Sequence, residues 1–289
     1  DNYDWFKDIN YLSFLREVGK HVPLSQMLGR DFVQARLGED GSGISYAEFS
    51  YSLIQGYDFL HLYREKGATL QVAGADQWGN SIAGVQLIRR LENAEAHVWT
   101  GPLIINKATG VKFGKSEGGA VWLDAKKTSV YKFYQFWLNV DDDGVIDYAK
   151  VYTLLSKDEI EALEAQQKEN PGARPAQKCL AYEVTKLVHG EAGAESAKRV
   201  TEVLFGKGEF VDLTQEDLEV LADEIPAAIK GATVVDLLAE NGLAGSKGEA
   251  RRLISGGAIS INGDKITDDQ LIDQPALIKK GKNSFLLIH

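Results

Sequence analysis

The residue types most suited to ligand chemistry lie between positions 46 and 80. Tyr51, Gln55 and Asp58 recur at i, i+4 and i+7, which places them on one face of a helix. Phe49, Leu53, Ile54, Tyr57 and Leu60 occupy its other faces. A helix that is apolar nearly all round is expected to be buried, and its polar stripe with it. Buried polar groups need partners, which protein or ligand can supply. The short run LQVAG then reads as a strand ending at Gly74, and ADQWGN sets Asp76, Gln77 and Asn80 at a strand-to-helix junction. Ligands of α/β sheets sit beyond the carboxyl ends of strands. A structural hydrogen-bond network inside the core accounts for the same stripe equally well.

Two basic clusters could meet phosphates. Between positions 106 and 119 lie three lysines and four glycines with no apolar periodicity, the composition of a basic loop. It is not a Walker loop, because Gly110 and Gly114 are separated by three residues and that motif needs four. Farther on, Lys247, Arg251 and Arg252 fall on the first turns of a helix beginning at SKGEARRLI. Cations there oppose the helix dipole, so phosphate contact is one reason for them and a solvated face is the other.

The positioning elements follow in order. Residues 7–37 have helical spacing at Tyr11, Leu12, Leu15 and Val18, broken by Pro23, with Met27 and Phe32 as core candidates. After the polar-striped helix and the strand, IAGVQLIRRLE is an amphipathic helix, and LIIN at 103–106 is a strand candidate. This order suggests part of a parallel α/β layer. Residues 128–205 are mostly helical, with Thr128 or Ser129 capping YKFYQFWLN and a capping box from Ser156 to Glu159. Gly190 suits a helix stop, and His189 beside it suits a helix-end cation. Residues 206–231 are acidic and glycine-containing and read as a linker. The remainder is a small domain: a helix in VVDLLAENGL, a capping box from Ser246 to Glu249, and a hairpin turning at Asn262 and Gly263.

Composition bounds the class. The chain has 289 residues, enough for two or three domains, with 44% hydrophobic and 26% charged residues. The single cysteine, Cys179, excludes an intrachain disulfide, and five scattered histidines suggest no metal site. No signal peptide or long apolar run is present, so a cytoplasmic protein with no membrane partner is expected. The net charge of −10 argues against bulk nucleic-acid binding, yet residues 230–289 hold eight basic and seven acidic side chains. Any nucleic acid must therefore meet local basic clusters.

The combination of Tyr51, Gln55 and Asp58 with GADQWGN and then KFGKS resembles the bacterial tyrosyl-tRNA synthetases, a class I family, over essentially the whole chain. KFGKS departs from the general class I loop at its second and third positions but keeps both lysines, Lys112 and Lys115. The resemblance implies an α/β fold: the C-terminal part of a Rossmann-like synthetase domain at 1–126, a helical anticodon-binding domain at 127–205, the linker at 206–231, and an S-four-type α+β RNA-binding domain at 232–289. It implies ATP-dependent activation of L-tyrosine to tyrosyl-adenylate, then transfer to tRNA(Tyr), in a homodimer. Tyr51 and Gln55 would hold the ammonium and Asp58 the phenol, with Gln71 and Gly74 lining the pocket and Asp76 and Gln77 at the ribose and carboxyl. Lys112, Lys115 and Ser116 would act catalytically on the ATP phosphates, with Mg²⁺ carried by ATP and no metal held by protein. Lys247, Arg251 and Arg252 would contact RNA. No His-x-Gly-His, the family's ATP-binding motif, occurs in the sequence, so a C-terminal portion of a longer enzyme is expected. A non-catalytic fragment that binds tRNA or tyrosine is the alternative.

Overall fold

A computed structural model describes residues 1–29, 31–37, 41–105, 110 and 121–289. Two compact units result, Asp1–Ile104 and Ile105–His289.

The first unit is built on helix α5 (Tyr46–Lys66), preceded by four short helices: α1 (Tyr3–Phe6), α2 (Tyr11–Glu17), α3 (Leu24–Leu28) and α4 (Asp31–Leu37). Helix α5 starts where Ser45 Oγ accepts from the Glu48 amide at 3.2 Å while Glu48 Oε2 accepts from the Ser45 amide at 3.1 Å. This reciprocal cap satisfies two orphan amides. The helix stops at Gly67, whose φ of 66° is left-handed. Strand β1 (Leu70–Gly74), helix α6 (Trp78–Glu92) and strand β2 (His97–Gly101) follow, and β1 pairs with β2 in parallel, Leu70 opposite His97 and Gly74 opposite Gly101. The core joins Val18, Val22 and Met27 to Leu53, Phe59 and Leu60 of α5 and Leu87 and Ile88 of α6.

Helices α5 and α6 approach each other through glycines. A Cβ on Gly56 would lie 3.2 Å from Ala83 and from the Gly84 amide, and one on Gly84 would lie 2.8 Å from the Phe59 side chain. At their far ends Arg64 Nε donates to Glu92 Oε1 at 2.8 Å.

One expectation changes here. The second strand is HVWTG at 97–101 rather than LIIN, which contributes only an isolated bridge at Ile105 among the described residues. The parallel ladder selects β2 because its backbone comes into register with β1, whatever its side chains. The sheet also keeps an open face: Leu70, Val72 and Trp99 are exposed, Val72 by 61%. Parallel sheets seldom leave an apolar face uncovered.

The second unit is helical and then mixed. Helices α7 (Val130–Leu138), α8 (Val145–Tyr152) and α9 (Lys157–Glu169) pack around the long α10 (Pro175–Phe205). Ser129 caps α7, accepting from the Lys132 amide at 3.2 Å, and Ser156 with Glu159 forms the expected box at α9. Gly190, at φ 84° and ψ 165°, is non-helical, so a first helix of α10 stops there as expected and a second begins beyond it. His189 is not a helix-end cation. Its ring packs edge-on to Phe133 at 4.8 Å, and burial pushes its pKa down, which favours the neutral form.

The stretch expected as a linker carries helix α11 (Gln215–Glu224), whose Leu221 and Asp217 are buried. The last domain comprises short strands β3 (Ala227–Ala228) and β4 (Ala232–Thr233), then helices α12 (Val234–Glu240) and α13 (Lys247–Ser255). Strands β5 (Ile259–Ile261), β6 (Asp264–Lys265), β7 (Leu271–Ile272), β8 (Ala276–Lys280) and β9 (Ser284–Ile288) complete it. Its five-stranded sheet runs β3-β9-β8-β5-β6, and β4 pairs with β7. Asn262 and Gly263 turn the β5–β6 hairpin with positive φ at both positions, as a type I′ turn demands.

The glycine contact generates a stability prediction. Gly84→Ala adds helix propensity of about 1 kcal/mol, but its Cβ must displace Phe59, an overpacking cost of about 1–3 kcal/mol. Urea unfolding followed by tryptophan fluorescence should show a net loss of stability; an equal or higher midpoint would contradict the close-packed crossing.

Candidate functional site

The polar stripe of α5 is partly covered, not wholly buried as the pattern suggests. Tyr51 is 61% exposed, and Gln55 and Asp58 are half-buried. The short N-terminal helices cover α5 unevenly. Phe6 and Phe14 pack edge-on against Tyr57 at 5.4 and 5.7 Å, while the turn that carries Tyr51 opens onto a groove of about 350 Å³. Tyr11, Phe14, Tyr46 and Ile54 line that groove with Tyr51.

Asp58 has a partner that spacing could not reveal. Trp5 Nε1 donates to Asp58 Oδ1 at 3.2 Å, and the indole stacks on His61 with ring centroids 4.3 Å apart. Burial pushes the Asp58 carboxyl above its ordinary value, while the Trp5 hydrogen bond and the nearby His61 pull it back in part. An ionised carboxylate offers about four acceptor sites. Trp5 is the one hydrogen-bond donor to Asp58 found among the described residues, so acceptor capacity remains for a ligand hydroxyl.

The second group lies at the carboxyl end of β1. Gln71 points to the partly covered side of the strand, and its Oε1 is buried with no hydrogen-bond partner among the described residues. A buried acceptor left in this state costs about 1–3 kcal/mol, which a ligand donor would recover. Gly74 lies close under its own turn: a Cβ there would lie 2.9 Å from Asp76 Oδ1 and 3.2 Å from the Leu103 side chain, and one of these side chains would have to move. A short 3₁₀ turn, Ala75–Gln77, hands the chain to α6. Asn80 Nδ2 donates to Gln77 Oε1 at 3.3 Å, and Asp76 is exposed. The N-cap residue of α6, Gln77, makes no side-chain capping bond to its first turn.

Lys112, Lys115 and Ser116 lie outside the described residues. In the last domain, Arg251 and Arg252 are exposed on α13, whereas Lys247 Nζ is held by Asp236 Oδ1 at 2.6 Å. That contact raises the lysine pKa and lowers that of Asp236, and it engages one of the cluster's three cations. Ser246 accepts from the Glu249 amide at 3.2 Å, but Glu249 reaches the Gly245 amide at 2.8 Å instead of closing the expected box.

Sequence reasoning missed Trp5 and His61. Trp5 is 53 positions from its partner and carries no periodic signal. The capping box at Ser45 and Glu48, which fixes where the stripe begins, was legible as Ser-x-x-Glu before an apolar run.

The Trp5 contact predicts a titration. Trp5→Phe removes a donor that stabilises the ionised carboxylate, so the Asp58 midpoint should move further up. Carboxyl-carbon NMR of labelled aspartate measures it. A midpoint that stays or falls would show that the indole does not act on Asp58.

Known proteins resemble this chain over most of its length. Residues 1–206 match the family described as tRNA synthetases class I (W and Y), and residues 217–288 match the tyrosine–tRNA ligase SYY-like C-terminal domain. The tyrosine–tRNA ligases of Escherichia coli K12 and Shigella boydii are each 47% identical over 299 residues, covering all of this chain and 70% of the relative. Two solved structures are similar, both of C-terminally truncated fungal mitochondrial tyrosyl-tRNA synthetases. That of Coccidioides posadasii is 33% identical with a TM-score of 0.52, over 68% of this chain and 56% of its own. That of Aspergillus nidulans is 32% identical with a TM-score of 0.55, over 71% and 57%. The chain thus spans under two thirds of the solved relatives' length. With both halves matched and the polar stripe of α5 in place, the chain belongs to the class I tyrosyl-tRNA synthetase family.

Proposed function

We propose that the chain works as a tyrosine–tRNA ligase of the bacterial type. A tyrosine carboxylate oxygen attacks the α-phosphorus of ATP, pyrophosphate leaves, and tyrosyl-adenylate remains. A ribose hydroxyl of tRNA(Tyr) then attacks the acyl carbon and AMP leaves. The greater identity to the bacterial ligases than to the fungal mitochondrial ones supports the bacterial type. Neither step needs a covalent enzyme intermediate, so positioning and charge stabilisation carry the rate.

The observation that carries this reading is Asp58: a half-buried carboxylate with a raised pKa, oriented by Trp5 and with acceptor capacity left over. A tyrosine phenol donates to it, and Tyr51 and Gln55 accept from the ammonium. Gln71 Oε1, buried and without a protein partner among the described residues, takes a further substrate donor. Asp76 and Gln77, at the turn between β1 and α6, receive the ribose and the reacting carboxyl. Lys112, Lys115 and Ser116 meet the ATP phosphates, with Mg²⁺ arriving as part of the nucleotide substrate. Donors that engage only as charge spreads over the transferring group accelerate chemistry without tightening ground-state binding.

The domain assignment belongs to the same proposal: catalysis at 1–126, anticodon binding at 127–205 and RNA binding at 232–289, with Lys247, Arg251 and Arg252 on the RNA. Homodimerisation is proposed too. Exposed Tyr11, Leu12 and Tyr46 support it, because a subunit contact would take large apolar side chains such as these out of water. The proposed compartment is the cytoplasm; among the described residues no helix is long and apolar enough to cross a membrane.

Asp58→Ala tests the reading by calorimetry with both amino acids. Tyrosine affinity should fall by about tenfold or more, equivalent to a lost hydrogen bond to a charged group of about 1.5–3 kcal/mol. Phenylalanine affinity should change by less than about threefold, since it offers no hydroxyl. Equal losses for the two would remove Asp58 from the phenol site.

A further inference from the structure

The second unit holds its last domain by polar contacts at two places, and neither belongs to the surfaces assigned to RNA above. The first is helix α11. Arg199 of α10 grips Asp217 with two bonds, Nε to Oδ2 at 2.8 Å and Nη2 to Oδ1 at 3.1 Å. The Asp217 side chain is fully buried and also accepts from the Thr214 amide at 2.9 Å. Burial alone would raise this carboxyl; the Arg199 and Thr214 contacts outweigh it and hold its pKa at about 2. At the other end of α11, Glu224 is bonded by Ser129 Oγ and paired with Lys132 Nζ at 3.3 Å, both at the start of α7. Ile225 and Pro226 alone separate this clamped helix from β3, which pairs with β9 of the terminal sheet.

The second place is the end of α10. Lys279 of β8 and Phe285 of β9 are direct cross-strand partners, on the sheet face opposite to Ile278 and Leu286. Lys279 Nζ donates to Leu204 O in the last turn of α10 at 3.0 Å and stands 5.1 Å from the Phe285 ring centre. Phe285 in turn packs edge-on to Phe205 at 5.5 Å and 89°. A cation on a terminal helix carbonyl is favourable both as a hydrogen bond and through the helix dipole. Beside this contact a cleft of about 510 Å³ stays open between Val203 and Phe210 on one side and Ser260 and Lys265 on the other. The junction is therefore not a filled apolar interface, and few contacts set its angle.

We infer that Lys279 is a positioning residue for tRNA: by latching the terminal sheet to the end of α10, it holds the basic face of α13 at a fixed place relative to the helical domain. This rests on the tRNA-binding reading proposed above. Two RNA-binding surfaces on one rigid body engage a single ligand at high effective concentration, and a loosened joint lowers that concentration without removing any RNA contact. Lys279 thus differs from a phosphate ligand in a measurable way. Loss of a phosphate contact lowers the salt slope of binding by about 0.9 on duplex RNA-like ligands, whereas loss of positioning weakens binding at an unchanged slope.

The test compares wild type, Lys279→Met, Lys279→Arg and Phe205→Ala, the last at an exposed ring that the fold tolerates. Filter binding of tRNA(Tyr) across a salt series and the rate of tryptic cleavage after Lys207, in the turn that follows α10 beside the Leu204 and Phe205 contacts, are the readouts. Lys279→Met and Phe205→Ala should weaken tRNA binding by about tenfold with the salt slope kept, and should speed cleavage at Lys207. Lys279→Arg should restore both. Unchanged cleavage and affinity in Lys279→Met would overturn the latch, and a reduced slope would make Lys279 an RNA contact instead. A wild-type chain that shows no salt-dependent tRNA binding would refute the tRNA reading itself and this inference with it.

Discussion

The close crossing of α5 and α6 at Gly56 and Gly84 is the constraint on which the proposed amino-acid site depends. Each glycine removes a side chain where the neighbouring helix would otherwise collide, with Ala83 and the Gly84 amide on one side and Phe59 on the other. That contact fixes the helix carrying Tyr51, Gln55 and Asp58 against the helix whose first turn follows Asp76 and Gln77. A site assembled from two helices and one strand end needs no flexible element to hold its geometry. The cost falls on local helix propensity, since glycine in a helix interior is unfavourable by about 1 kcal/mol.

Electrostatics does different work in the two units. In the first, Asp58 is raised by burial and met, among the described residues, by one neutral indole donor, the state that the proposed phenol site requires. In the second, Asp217 is lowered to about 2 by a bidentate guanidinium and a cap, the state of a group already satisfied. Asp217 is fully buried and Asp58 half-buried, and on the proposed reading the difference in partners separates a binding residue from a structural one. Lys247 stands between these cases, an RNA candidate whose charge is already shared with Asp236.

Much of this was legible in the chain. The spacing of the α5 stripe, the β1 run, the turn at Asn262 and Gly263, and the order of the helical segments all follow from periodicity and turn chemistry. The rest depended on tertiary partners. Trp5 contacts Asp58 across 53 positions, and no local pattern encodes that. Strand β2, His97–Gly101, carries no alternating pattern to set it above the apolar LIIN, yet its pairing with β1 makes it the strand. Helix α11 looked like a linker because it is acidic, but two of its acids are clamped by Arg199 and by Ser129 with Lys132. His189 looked like a helix-end cation until the fold of α10 carried its ring against Phe133.

The central claim is that the acid in the middle of α5 receives a substrate hydroxyl. A crystal structure of the protein with L-tyrosine bound tests it most directly. The account predicts the phenolic oxygen within about 2.5–3.0 Å of the Asp58 carboxylate, with Trp5 still donating to the other side and the ammonium against Tyr51 and Gln55. Tyrosine bound elsewhere, or held there with its hydroxyl turned away from Asp58, would contradict it.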